Sequence, residues 1–270
     1  MPHSLVLGLL IALPTFPCLF GFPAPPRPPT VDSLISTIAE AVLWGRLREA
    51  QRVEVTVDTG SPLALLGGAV QGVRIRGAGW CTPLQLSCRS LDVSVGRTAV
   101  DVGALVTKRA ILLQWPATGD ATICFSAKDW SSFLAHPLCI EAISARLRED
   151  RPIGTSAAPS FGSKVSFADG AICFPVKWGS TELCAVLSQP PGSSTAVVTA
   201  TPVEPTQERE AGLGAAREAA AWLADFFNEL ELNLDGVRFS FVRLQVGRDE
   251  TLKLGLRVVV ERFPSPMVNF

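Results

Sequence analysis

LLGGAVQGVRIRG, residues 65–77, places a glycine pair directly before an alternating run. Gly67 and Gly68 suit a tight reversal, where side chains would crowd or a positive φ is needed. Val73, Arg74, Ile75 and Arg76 then alternate apolar with basic, the period-two pattern of a strand with one buried and one wet face. The pattern extends in both directions. RVEVTVDTG, residues 52–60, puts Val53, Val55 and Val57 on one face, and LQLSC and LDVSV continue with Leu84, Leu86, Leu91, Val93 and Val95. The apolar parity changes between Cys88 and Leu91, which predicts a β-bulge that bends the strand. A curved sheet is the expectation.

Amphipathic helices flank these strands. Val31, Leu34, Ile35, Ile38, Val42 and Leu47 recur at three- and four-residue spacing, predicting a helix from Val31 to Gln51 with Asp32 or Ser33 at its start. Residues 129–149 read as two helical pieces split at Pro137, the first capped by Asp129. Another helix is expected over residues 215–229. Further strands are expected in SKVSFAD, AICFPVKW and TELCAVLS. The chain closes on TLKLGLRVVVERF, in which Leu252, Leu254, Leu256, Val258 and Val260 keep one face. Residues 188–214, rich in Pro, Gly, Ser and Thr, read as a flexible insertion, with TAVVTATPV as room for one strand. Helices do not alternate regularly with strands, so the class is α+β with antiparallel pairing.

The first 22 residues predict a cleaved targeting leader, with a nine-residue apolar core, Leu5 to Leu13, too short to cross a hydrocarbon layer of ~30 Å. A short membrane anchor is the alternative. Residues 23–30 form a Pro-rich linker, and residues 31–263 a single domain. GFPAPP, with Phe22 near the cleavage point, resembles the leaders that carry proteins into complex plastids; the secretory pathway or the extracellular space is the alternative destination. Cys18 leaves with the leader, and the six remaining cysteines permit 15 pairings. A tight turn at Trp178–Gly179 would let Cys173 and Cys184 face each other and form a disulfide; buried free thiols are the alternative.

The chemistry-bearing residues are sparse. With 24 basic and 25 acidic residues and no run of like charge, the chain lacks the footprint of a nucleic-acid binder. His136 is the only histidine beyond His3, and no G-x-S-x-G elbow accompanies it, so it reads as a helix-start residue rather than as half of a hydrolase site. Glu54, Asp58, Asp92, Glu229 and Glu231 are scattered and read as solvated faces. No phosphate loop, zinc spacing or EF-hand occurs. The chain is expected to be no enzyme and to carry no cofactor or metal.

Residues 53–95, VEVTVDTGSPLALLGGAVQGVRIRGAGWCTPLQLSCRSLDVSV, resemble the LmeA-like phospholipid-binding family. Leu65 to Gly68 correspond to its leucine-glycine step, Val73 and Ile75 to its alternating strand, and Leu86 with Leu91 to Val95 to the strand that follows. Asp129, Leu134, Pro137 and Leu138 correspond to its later helix, and residues 223–260 to its C-terminal helix and strand pair. The cysteines and the polar stretch at 188–214 depart from the pattern. The resemblance implies a strongly curved antiparallel sheet wrapped around a long amphipathic helix, similar to tubular lipid-binding domains. It also implies non-enzymatic binding, with transfer or sequestration, of phospholipid or another acyl lipid at a membrane surface. The residues expected to line the cavity are Val55, Val57, Val73, Ile75, Leu91, Val93, Leu254, Leu256 and Val258. Arg74 and Arg76 point the other way, toward solvent or anionic headgroups. The alternative is a structural or assembly module with an ordinary packed core.

Overall fold

The computed structural model describes residues 31–61, 68–99, 112–150, 158–203, 209–234, 236–247 and 249–262, and among these residues it has fourteen strands and four helices. All of these lie in one unit, Val31–Phe270. The leader, the linker and Leu65 to Gly67 lie outside the described residues.

Alternation decides most of the strands. β1 (Arg52–Asp58), β3 (Gly72–Cys81), β4 (Ser87–Val95), β6 (Leu112–Phe125), β12 (Glu231–Leu234), β13 (Val237–Val246) and β14 (Leu252–Arg262) form a seven-stranded sheet in the order β1-β3-β4-β6-β14-β13-β12, antiparallel throughout. A second sheet follows the order β11-β10-β9-β7, from β7 (Ser160–Phe161), β9 (Ala171–Trp178), β10 (Thr181–Ser188) and β11 (Val197–Pro202), with β8 (Ser166–Ala168) also paired to β9. β2 (Ala69–Val70) pairs with β5 (Thr98–Ala99). Gly68, immediately before β2, has φ +80°, the left-handed backbone that its place in the glycine pair anticipated.

The expected sheet wrapped around a long helix is not what forms. About half of the described residues are in strands and a quarter in helices, and the sheets are not strongly curled. The longest helix among the described residues has 20 residues. The helix expected to run to Gln51 stops at Trp44, before Gly45; this α1 (Val31–Trp44) packs on edge strand β1 instead of filling a sheet's curl. After it the chain turns extended, and the Arg48 and Glu49 amides donate to the Cys81 carbonyl.

The expected bulge is also corrected. Ala78 pairs with Ser90 and Trp80 with Cys88 in one unbroken register, so no residue is inserted. Gly79 instead adopts φ +59°, a conformation that L side chains resist. The Trp80 ring ends up lying over Gly77, where an added Cβ would sit 2.0 Å from Nε1. The shifts of register lie elsewhere, between Phe241 and Arg243 and between Val260 and Arg262. The second falls opposite the part of β6 that holds Pro116, which has no amide to give the ladder.

α2 (Ala127–Leu134) and α3 (Pro137–Asp150) divide at Pro137 as expected. The first cap is Ser126 rather than Asp129. Asp129 is the third helical residue and returns a bond to the Ser126 amide, completing a capping box. α4 (Arg209–Asn228) begins six residues earlier than expected, and β11 occupies part of the predicted insertion.

The main core joins both sheets through α2 and α4. Phe125 of β6 meets Trp130 of α2 at 5.8 Å between ring centroids, Trp130 meets Phe227 of α4 at 5.9 Å, and Phe227 meets Phe174 of β9 at 6.2 Å. A smaller apolar cluster forms where Ile35, Ala39 and Leu43 of α1 pack on Val53, Val55 and Val57.

Candidate functional site: one face of the seven-stranded sheet

Cross-strand register assembles three rows on the inner face of the large sheet. Val57, Val73, Val95, Gly119, Val258 and Phe239 form one; Val55, Ile75, Val93, Ala121, Leu256 and Phe241 the next; Val53, Gly77, Leu91, Ile123, Leu254 and Leu244 the third. All nine residues expected to line a cavity therefore share one face, although they come from four strands up to 203 positions apart in the chain, from Val55 to Val258.

Burial along these rows is uneven. Under α1, Val55 and Val57 retain 4% and 8% exposure, and over the main core Leu254, Leu256 and Val258 retain 1–2%. Between these zones Val73, Ile75, Leu91, Val95 and Ile123 are only half-buried. Ile75 packs against both apolar clusters and marks the seam between them. Leu254, Leu256 and Val258 are ordinary members of the packed core. The half-covered part is a strip along β3 and β4, interrupted by buried Val93 and reaching Ile123 of β6; Val95 and Ile123 belong to it although the sequence pattern did not single them out as lining residues.

The opposite face is polar. Arg74 donates through Nε and Nη2 to both carboxylate oxygens of Asp92, at 3.0 and 2.7 Å, and Arg76 Nε lies 3.5 Å from the same carboxylate. The Arg74 hydrogen bond holds the Asp92 carboxyl below its ordinary range. These arginines therefore face away from the apolar strip and already have an anionic partner.

α1 closes the edge of the sheet. The Val55 amide donates to Glu40 Oε1 at 2.8 Å and the Val57 amide to Ser36 Oγ at 3.0 Å, while the Thr59 hydroxyl donates to Asp32. Asp32, Ser36 and Glu40 are spaced four apart, so one stripe of the helix meets successive outward-pointing groups of an edge strand. The side chains of Val31, Leu34, Ile38 and Val42 lie outside the described residues.

His136 sits at the start of α3. Its Nδ1 accepts from the Leu138 amide at 3.2 Å, the ring is 3% exposed, and Nε2 has no partner among the described residues. Burial lowers its pKa. No serine, cysteine or carboxylate bonds to the ring among the described residues, so the hydrolase arrangement is not assembled. The scattered acids take ordinary roles: Glu54 pairs with Arg52 at 2.6 Å, Asp58 accepts from the Gly60 amide, and Glu229 and Glu231 meet Arg146 and Arg238.

Cys173 and Cys184 are not bridged. Both are free, and they lie two positions out of register, with Cys173 opposite Val186 and Cys184 opposite Pro175. The turn at Gly179 is as tight as expected, but β9 ends at Trp178 opposite Thr181, the first residue of β10, and this register fixes a diagonal offset. Diagonal neighbours stand about 7–8 Å apart, beyond the reach of an unstrained disulfide. The other four described cysteines are also free. Burial pushes the Cys88 and Cys139 thiols up to about 12, so both behave as small apolar groups.

Among the described residues no group of three potential ligands could hold a metal, and no helix is long and apolar enough to cross a membrane. Comparison with protein-family models, curated proteins and solved structures finds no match.

Proposed function

We propose that this chain binds an acyl lipid without chemistry, holding a hydrocarbon chain along the half-covered strip of β3 and β4. The observation that supports the reading is the change in burial along one apolar face: half-buried Val73, Ile75, Leu91 and Val95 lie between two zones that are closed, with Val93 among them buried to 9% exposure. A hydrocarbon laid on them gains about 0.8 kcal/mol for each CH₂ group it buries. The reading fits the phospholipid-binding family that residues 53–95 resemble, on the face of a sheet that is not strongly curled. A phospholipid drawn from a membrane surface is the ligand proposed.

The complete burial of Leu254, Leu256 and Val258 favours a second reading, an assembly module whose apolar face is mostly core. The two separate in one experiment. Gentle purification from membrane-containing cells followed by native mass spectrometry is expected to retain lipid, and the purified chain to take up a fluorescent phospholipid. Ile75→Trp, which fills the strip, is expected to lower uptake about ten-fold, a loss of ~1.4 kcal/mol, while Arg74→Ala on the opposite face leaves it unchanged. No lipid in either assay, or equal loss with both variants, would end the acyl reading.

A further inference from the structure

We propose that α1 is a releasable cover on the sheet and that its release admits the acyl chain; the admission step rests on the lipid reading above.

None of the described side chains of α1 is buried, whereas the valines beneath it, Val53, Val55 and Val57, are 4–9% exposed. The described side chains of the helix thus shelter these valines more completely than they are sheltered themselves. Its apolar contacts form a cluster separate from the main core, and of the named elements it packs extensively only on β1. α4, by contrast, buries Ala219, Leu223 and Phe227 to 0–2%. Elements with few buried apolar groups open locally at a fraction of the global unfolding free energy.

The attachment is also asymmetric. Beyond the C-terminal end of α1, the Arg48, Glu49 and Gln51 amides donate to the Cys81 and Ala78 carbonyls, and the Cys81 amide returns a bond to Glu49. Along the helix itself the described polar links to β1 and the residue after it are the side-chain contacts of Asp32, Ser36 and Glu40. The helix therefore swings about Gly45 to Leu47 with its N-terminal end leaving first. Departure exposes Val53, Val55 and Val57 beside the half-buried Val73 and Ile75, converting a narrow strip into a face three strands wide. The same motion frees the Val55 and Val57 amides, so opening has a direct reporter that needs no ligand.

The experiment follows native-state hydrogen exchange of the full chain by NMR, with phosphatidylcholine vesicles carrying a fluorescent phospholipid as a parallel measurement. The Val55 and Val57 amides are expected to exchange at least about ten-fold faster than those of Leu254 and Leu256, with a rate insensitive to low urea, as local opening requires. Ser36→Ala with Glu40→Ala is expected to accelerate both that exchange and lipid uptake; Glu40→Ala alone serves if the double variant does not fold. Exchange of Val55 and Val57 at the rate of Leu254 overturns the release of α1, whatever the lipid result. Fast exchange with no uptake by any variant overturns the admission step together with the acyl reading.

Discussion

His136 and Gly119 carry more of the fold than their positions in the sequence suggest. His136 accepts the Leu138 amide through Nδ1, which fixes the neutral ring with its proton on Nε2. Its folded-state pKa lies below the ordinary value because the ring is buried. The unfolded chain therefore binds more protons. The associated stability is complete above the unfolded pKa, near 6.5, and falls as pH drops from there toward the folded pKa. The urea midpoint is expected to fall between pH 7.5 and pH 5, and His136→Asn, which keeps an acceptor but does not titrate, is expected to flatten that part of the slope; an unchanged slope would detach it from His136. Gly119 stands where β4 and β6 crowd together: an added Cβ would lie 2.0 Å from the Ser94 carbonyl oxygen and 2.8 Å from Val95 Cα. Both neighbours are backbone and have nowhere to move. Gly119→Ala is expected to cost about 3 kcal/mol in chemical denaturation, and a loss below ~0.5 kcal/mol would mean that the strands part easily. Alternation placed Val73, Ile75 and seven other residues on one face because the period of a strand is its most local property. The left-handed backbone of Gly79 and the two-residue offset of Cys173 from Cys184 depend on how partner strands meet, which no single strand encodes.

Each of the two larger sheets has an edge closed by side chains from a helix. α1 covers β1 with Ser36 and Glu40. At the other sheet Asn228, the last residue of α4, accepts from the Ala196 amide through Oδ1 at 2.7 Å and donates through Nδ2 to the Ala196 carbonyl at 2.9 Å, immediately before edge strand β11. Ala196 is 3% exposed, so both of its backbone groups depend on that one amide. Asn228→Ala leaves a buried donor and a buried acceptor unpaired and is expected to cost about 2–4 kcal/mol; it also frees an edge, so concentration-dependent association in analytical ultracentrifugation is the second expected result. A monomeric variant of wild-type stability would show that the amide closes nothing. The elements themselves were largely legible: the helix split at Pro137, the strands of the second sheet, and the terminal strand with its single apolar face. The expected sheet around a long helix failed for a physical reason. Amphipathic spacing says that a helix buries one stripe, but whether it lies inside a curl or along an edge depends on polar residues between the apolar ones, here Asp32, Ser36 and Glu40. The sequence does contain that second stripe, at intervals of four, though nothing local distinguishes it from a solvated face.

The whole unit has two apolar clusters of unequal strength joined at Ile75, and this division governs how it should come apart. The main cluster ties the sheets together through Phe125, Trp130, Phe227 and Phe174, so neither sheet can expose its inner face without breaking the other's packing. The small cluster centres on edge strand β1 and α1, with Val73, Ile75 and Trp80 of β3 at its margin, and its α1 side can be lost alone. Phe227 is 2% exposed and touches the rings of Trp130, Phe174 and Phe226. Truncation removes contacts to both sheets at once, and the site cannot collapse without moving α4. Phe227→Ala is expected to destabilise by about 3–5 kcal/mol while preserving one transition, with far-ultraviolet circular dichroism and tryptophan fluorescence coincident in urea. Leu43→Ala, on α1, is expected to leave that transition within about 1 kcal/mol of wild type, because it acts on an element already able to open before global unfolding. If Phe227→Ala instead splits the transition, the sheets are separately stable and the aromatic chain is only a contact between them. If Leu43→Ala lowers the main transition as far as Phe227→Ala does, α1 belongs to the cooperative core, and the strip beside it lacks a wall that can move.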